Sequence, residues 1–296
     1  MHETLSSLPD VHASWQGKVR DIYDLGEHLL IVTSDRISAF DVVFPNLIPD
    51  KGKILNQISV HFFQTTTQIV DNHFISDQVA DYPEQFQPYA DYLKDRSMLV
   101  RKTRVIPFEF IVRGYITGSA WAEYKKTGTV SGMLMPEEMQ ESQKFQQPLF
   151  TPSTKAETGH DENISYRELL QRMDERLAVH IRDKALELFQ HNHEIMLRHE
   201  VILADTKFEF GVTGDRILLI DEAFTPDSSR YWALPDYEIG KTPLSFDKQY
   251  IRDYLTKTGW NKQPPAPELP PEVVEKTRQK YIQIYQLITG DNEPRW

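Results

Sequence analysis

The chain has 296 residues, 40% of them hydrophobic and 26% charged, ordinary proportions for a soluble globular protein and enough length for about two domains. Its formal net charge of −11 argues against non-specific binding to nucleic acid or to anionic membranes, while leaving small anionic ligands open. Cysteine is absent, which excludes disulfides, cysteine nucleophiles and thiolate metal sites. No apolar run approaches the roughly 18 residues of a membrane span. The first residues lack a basic segment followed by an apolar one, so a cytoplasmic location without a membrane partner is expected.

In chain order, residues 18–23 read as a strand, Asp24 to Gly26 as a turn and residues 28–33 as a second strand. Ile54, Ile58, His61 and Phe62 recur at helical spacing within residues 53–70. Residues 98–104 and 108–113 read as further strands separated by Pro107. A short helix is expected next, with Ser119 as its N-cap and Gly128 as its stop. Residues 129–163 are expected to be loop-rich. Ser165-Tyr166-Arg167-Glu168 is a capping-box pattern, and a long amphipathic helix follows over residues 174–199. The apolar runs 201–211 and 216–222, separated by Gly214 and Asp215, form a hairpin signal. Residues 246–256 look helical, prolines stiffen residues 264–271, and a last helix over residues 272–288 ends at Gly290. Strands come first and helices alternate later, giving an α+β class with two lobes divided near residue 110.

The hairpin carries the most chemistry. Strand side chains alternate faces, so Asp205, Lys207 and Glu209 share one face. In the simplest register Asp221 lies opposite Lys207 and diagonal to Glu209. Two like charges 4 Å apart repel by roughly 4 kcal/mol in a protein surface environment. A divalent cation or Lys207 itself is a candidate to compensate, and a structural ion-pair cluster at a sheet end is the alternative reading. Mg²⁺ suits such a pair, because it takes one or two carboxylates and fills its shell with water and phosphates.

Four other segments stand out. Gly17-Lys18-Val19-Arg20 offers close backbone approach and a cation to a phosphate, although a plain edge strand has the same pattern. Arg113, the glycines at 114 and 118, and Ser119 suit an anion at a helix start, or an ordinary glycine turn. Residues 151–163 form a polar stretch with Lys155, Glu157, His160, Asp161 and Glu162, which reads as a functional lid or a disordered loop. Asp227-Ser228-Ser229-Arg230 either carries an arginine back toward Asp221 or is a simple turn. His191 and His193 do not form a metal box, because positions i and i+2 of a helix face apart.

Together these segments resemble the phosphoribosylaminoimidazole-succinocarboxamide synthase (SAICAR synthetase) family of purine biosynthesis. The resemblance rests on Gly17-Lys18-Val19-Arg20-Asp21-Ile22-Tyr23, the Ser34 to Ser38 segment, the Ile111 to Trp121 and Thr151 to Lys155 stretches, the His160 to Ser165 stretch, the Ala204 to Gly211 run, Asp221-Glu222 and the Thr225 to Trp232 segment, in the family's order. It implies an ATP-dependent ligase that joins L-aspartate to the carboxylate of CAIR, an aminoimidazole ribonucleotide, giving SAICAR, ADP and phosphate through an acyl phosphate. It also implies a kinase-like N-terminal nucleotide lobe over residues 1–110 and a substrate- and metal-binding lobe over residues 111–296. By the family's pattern Gly17, Lys18 and Arg20 serve ATP, Glu209 and Asp221 hold Mg²⁺, and Lys207 faces the reacting carboxylate, so that Lys207, Glu209 and Asp221 are the implied catalytic residues. Arg113, Ser119 and Arg230 serve CAIR, and Ser38, His160 and Asp161 border the CAIR and aspartate region. Lys248 and Arg252 are further candidates. The implied partners are the small-molecule substrates, with a monomer or small homo-oligomer expected. A kinase is the runner-up reading, but its His-Arg-Asp and Asp-Phe-Gly motifs are missing.

Overall fold

The computed structural model describes residues 8–155, 162–246 and 249–291, with Pro294 and Trp296. The first part of the chain forms strands β1 (Trp15–Gln16), β2 (Arg20–Asp24), β3 (His28–Thr33), β4 (Arg36–Ala39) and β5 (Val42–Leu47), then helix α1 (Lys51–Thr65). There follow β6 (Phe74–Ser76), the short α2 (Ala90–Leu93), β7 (Ser97–Arg101), β8 (Arg104–Val105) and β9 (Phe108–Tyr115). Helix α3 (Gly118–Thr127) leads to β10 (Thr129–Val130), β11 (Met133–Leu134) and β12 (Lys144–Thr154). The remainder comprises α4 (Tyr166–Arg172), α5 (Glu175–Arg198), β13 (Val201–Thr213), β14 (Arg216–Ile220), β15 (Ser229–Ala233), α6 (Gln249–Thr258) and α7 (Pro271–Thr289). The class is α+β. No helix among the described residues is long and apolar enough to cross a membrane.

Two antiparallel sheets organise the molecule. The first has strand order β1-β2-β3-β7-β6. The second is built around β13, whose 13 residues pair in turn with β15, β9, β14 and β8, while β12 lies outside β9. A central strand paired along its length must be apolar, and Val201 to Ala204, Phe208 and Phe210 meet that requirement. The polar exceptions, Asp205, Lys207 and Glu209, are thereby held at fixed intervals on a rigid strand.

The largest apolar core joins Ile31 and Val100 of the first sheet, Phe110, Leu203 and Phe208 of the second, Phe62 of α1, Ile181 of α5 and Tyr281 of α7. Residue 110 lies within β9 and inside that core. A backbone bridge also ties the sheets, with His73 N–H donating to the Leu219 carbonyl at 3.1 Å and Leu219 N–H donating to that of Asp71 at 2.9 Å.

Local signals set several boundaries. Ser165 and Glu168 form the reciprocal capping box of α4, Asp174 caps α5 through Leu177 N–H, and Gly290 ends α7 at φ 75°. His193 is buried, stacked on Phe189, and contacts the Leu203 carbonyl through Nδ1, so it serves the core.

Some elements depart from the sequence reading. Residues 129–163 contain the 11-residue β12, whose Phe150 is buried beside Phe110. Gln146, Gln147, Pro148 and Pro152 interrupt its apolar pattern and hid it. The expected strand 98–104 ends at Arg101, and Arg104–Val105 pairs with β13 in the other sheet. Thr117, not Ser119, is the N-cap of α3; it is extended and makes no side-chain cap bond, while Ser119 lies in the first turn.

Gly52 shows how tightly α1 is seated. A Cβ there would lie 2.2 Å from the Thr33 carbonyl oxygen, and Gly52 N–H already donates to Asp35 Oδ1 at 2.8 Å. Because the obstacle is backbone, Gly52→Ala is expected to destabilise the fold by about 3 kcal/mol. A urea denaturation midpoint equal to that of the unmodified chain would contradict this seating.

Candidate active site

Between the two sheets lies a cleft of about 730 Å³. The β1–β2 turn contributes Gly17 and Lys18 to it, β2 contributes Arg20, β4 contributes Ser38, and β13 contributes Lys207 and Glu209. Asp221, just past β14, completes this set. Aliphatic side chains, including Ile22, Leu29, Ile31, Val105 and Ile220, line another part of the wall. An apolar slot beside a cluster of charges suits a ligand with a flat base and an anionic tail.

The hairpin register differs from the expected one by a single residue. Glu209 pairs with Ile220 across the ladder, and Gly214 with Asp215 makes a two-residue turn in which Gly214 has φ 56°. Continued regularly, the strand would send Asp221 to the face opposite Glu209. It does not continue. Asp221 takes φ 65°, which breaks the alternation and brings its carboxylate into the same cleft.

The charges are compensated pairwise. Arg20 Nη1 donates to both oxygens of Asp221 at 2.9 and 3.0 Å, and Arg20 also pairs with Glu222. Lys207 pairs with Glu109, and Lys155 with Glu209. Burial opposes charge on Arg20 and Lys207, but Asp221 and Glu222 raise the first, and Glu109 and Glu209 the second, above their ordinary values. Glu209 is pushed up, by burial first and then by Asp221, against Lys155 and Lys207. Asp221 ends below the usual carboxylate range: burial acts upward, but Arg20 and Lys207 outweigh it. The environment thus pushes two neighbouring carboxylates apart, which is typical of a working site. His73 also lines the cleft, and burial drives its imidazole down to about 3, leaving it neutral.

Arg113 and Ser119 lie elsewhere. Arg113 is buried in β9, where it donates to Asp205 at 3.2 Å, to Thr151 Oγ1 at 2.9 Å and to Ser119 Oγ at 3.1 Å. Arg230 pairs with Asp205 as well, and the turn does not carry it to Asp221 as one sequence reading had it; Arg20 occupies that role. Arg230 instead lines a second cavity of about 440 Å³ with Gly118 and Arg252. His160, Asp161 and Lys248 fall outside the described residues.

Sequence reasoning missed Glu109, His73 and Asp227, all on the cleft wall. A lone carboxylate between Phe108 and Phe110 was the available signal for Glu109. Nothing local marked His73. Asp227 had been treated as turn chemistry, yet its carboxylate is gripped by the wholly buried Lys51 at 2.9 Å and by Tyr281 Oη at 2.5 Å.

Residues 13–267 match the family model described as SAICAR synthetase. The chain belongs to the SAICAR synthetase family. The phosphoribosylaminoimidazole-succinocarboxamide synthase of Syntrophobacter fumaroxidans is 50% identical over 286 residues, covering 96% of this chain and 95% of that one. That of Syntrophotalea carbinolica is 51% identical, covering 96% and 97%. The solved SAICAR synthase of Saccharomyces cerevisiae, complexed with SAICAR, superposes with a TM-score of 0.89 at 40% identity, covering 97% and 98%. A SAICAR synthetase solved with ADP shares the fold at 23% identity and a TM-score of 0.69, covering 95% and 99%. Membership makes this chain an enzyme of purine biosynthesis that ligates L-aspartate to CAIR at the expense of ATP.

Proposed function

We propose that ATP occupies the large cleft, with its base in the aliphatic slot and its phosphates toward Lys18, Arg20 and Lys207, and that CAIR enters from the Arg230 side. The observation supporting this arrangement is the gathering of Gly17, Lys18, Arg20, Lys207, Glu209 and Asp221 on one cleft that opens beside the Arg230 cavity. The first sheet then serves as a nucleotide lobe and the second as a substrate lobe.

Mg²⁺ fits the donor set. Among the described residues, no group of three or more His, Cys, Asp or Glu side chains gathers to hold a metal alone. Two carboxylates brought together on one cleft wall, Glu209 and Asp221, suit a cation that completes its shell with water and nucleotide phosphates. Bound there with ATP, it would neutralise phosphate charge.

In the proposed reaction a carboxylate oxygen of CAIR attacks the γ-phosphorus, and the bond to the bridging oxygen of ADP breaks. The acyl phosphate so formed has the leaving group that a free carboxylate lacks. The unprotonated amine of aspartate attacks its carbonyl carbon, the C–N bond forms, phosphate departs and one proton is released. Lys207, held by Glu109, faces the transferring phosphoryl group, where a fixed cation stabilises developing charge. Arg113 and Ser119 act from behind, keeping Asp205 and Arg230 in place. Cytoplasmic location follows the metabolic role.

The test is ADP release by the purified protein with Mg·ATP, CAIR and L-aspartate, omitting each in turn. Release that needs all three, with SAICAR identified by mass, supports the reading. Release that needs neither CAIR nor aspartate overturns it.

A further inference from the structure

Behind the turn between β1 and β2 stands an arginine that does not reach the cleft. Arg36, the first residue of β4, has 13% of its side chain exposed and is not among the residues that line the cleft. Its guanidinium forks onto Asp21, with Nη2 donating to Oδ1 at 2.6 Å and Nη1 to Oδ2 at 3.3 Å. Asp21 is buried, so the fork is anchored on a fixed carboxylate. The same group also reaches the turn: Nη2 donates to the Gly17 carbonyl at 3.2 Å and Nε to the Lys18 carbonyl at 3.3 Å. The next carbonyl, that of Val19, is held by Ser34, through N–H at 2.8 Å and Oγ at 2.6 Å.

These bonds aim donors as well as acceptors. In a planar trans peptide the C=O and the N–H point in opposite directions. The peptides of this turn are trans. Drawing the Gly17 and Lys18 carbonyls back to Arg36 therefore turns the Lys18 and Val19 N–H groups the other way, to the side of the cleft that both residues line. Among the described residues neither N–H meets an acceptor. The cations beside them are already shared, Lys18 with Asp41 and Arg20 with Asp221 and Glu222. Successive N–H groups on the concave side of a turn attract an anion, whereas a carbonyl turned inward would repel it.

Resting on the ATP placement proposed above, we infer that Arg36 is a positioning residue for the nucleotide phosphates. Anchored on Asp21, it fixes the backbone from Gly17 to Val19 so that the Lys18 and Val19 amides face the phosphates. Arg36 itself touches no substrate and acts only through the turn.

Arg36→Lys tests it. Lysine keeps a cation beside buried Asp21, so the fold is retained, but a single ammonium does not reproduce a fork that spans one carboxylate and two carbonyls. ADP affinity by calorimetric titration should fall about tenfold or more, the scale of lost hydrogen bonds from a charged donor. KM for ATP should rise with it. Adenosine, which has the base and no phosphates, should inhibit with an affinity within about twofold of that for the unmodified protein, and KM for CAIR and for L-aspartate should also stay within about twofold. Asp21→Asn, which loosens the anchor and leaves Arg36 in place, should weaken ADP in the same direction by a smaller factor. Unchanged ADP affinity in Arg36→Lys overturns the inference, because a cation alone would then suffice. Equal losses for adenosine and ADP also overturn it, since they mark a general collapse of the cleft. Lys18→Ala separates these failures from that of the ATP placement: if this variant binds ADP as tightly as the unmodified protein, the phosphates do not lie on the turn and the placement itself falls.

Discussion

Asp221→Asn is expected to lower turnover by about 10³-fold or more while leaving the protein folded. The magnitude follows from removing a charge whose partner contributes several kcal/mol at the transferring phosphoryl group, at about 1.4 kcal/mol per tenfold. The fold should survive because Arg20, which now donates to both Asp221 oxygens, keeps Glu222 as a partner. Asn is nearly isosteric and accepts the φ of 65° that Asp221 adopts. Calorimetric titration with Mg·ADP should show weakened binding, and titration with ADP in chelator should show little change. Near-normal turnover together with unchanged Mg·ADP binding would remove Asp221 from the metal site. Normal turnover with weakened Mg·ADP binding would leave it a binding residue only.

Most of the charge cluster was legible because its residues violate their context. Lys207 and Glu209 sit in an apolar strand, where unpaired charges are expensive, so their presence in the sequence already demanded partners. The partners were less legible. Arg20 reaches Asp221 from 201 positions away, and Lys207 reaches Glu109 from 98, distances over which local pattern carries no signal. Register was harder still. Alternation specifies a face, but Asp221 reaches the cleft through one left-handed residue after the strand has ended, and that bend has no period to detect. The strand over Lys144–Thr154 escaped because Gln146, Gln147 and two prolines interrupt its apolar pattern; its inner face shows itself only against β9. The family resemblance singled out Ser38, which periodicity did not, and Ser38 lines the cleft with Gly17 and Lys18 although all three are remote from the hairpin in sequence.

Lys207→Met should cost nearly as much turnover as the Asp221 substitution, roughly 10²–10³-fold, and should add a distinct pH signature. Lys207 now faces Glu109 and Glu209, and the latter is already pushed upward by burial and by Asp221. Lys155 and Lys207 hold it down against those effects. Deleting Lys207 removes one of these restraints, so the proton affinity of Glu209 rises further. A cleft that needs ionised Glu209 loses activity as pH falls through that value. The acid limb of the pH–rate profile must therefore move to higher pH in the variant, while the alkaline limb stays in place. Lys207→Arg separates charge from geometry: it keeps the cation, so the acid limb should stay near its original position, while a planar fork in place of a compact ammonium should still slow phosphoryl transfer. A Lys207→Met profile that superimposes on the unmodified one, merely scaled down, would show that Lys207 does not govern the ionisation of Glu209. Near-normal turnover at every pH would remove Lys207 from the chemistry and leave the Glu109 pair as a structural bridge between β9 and β13.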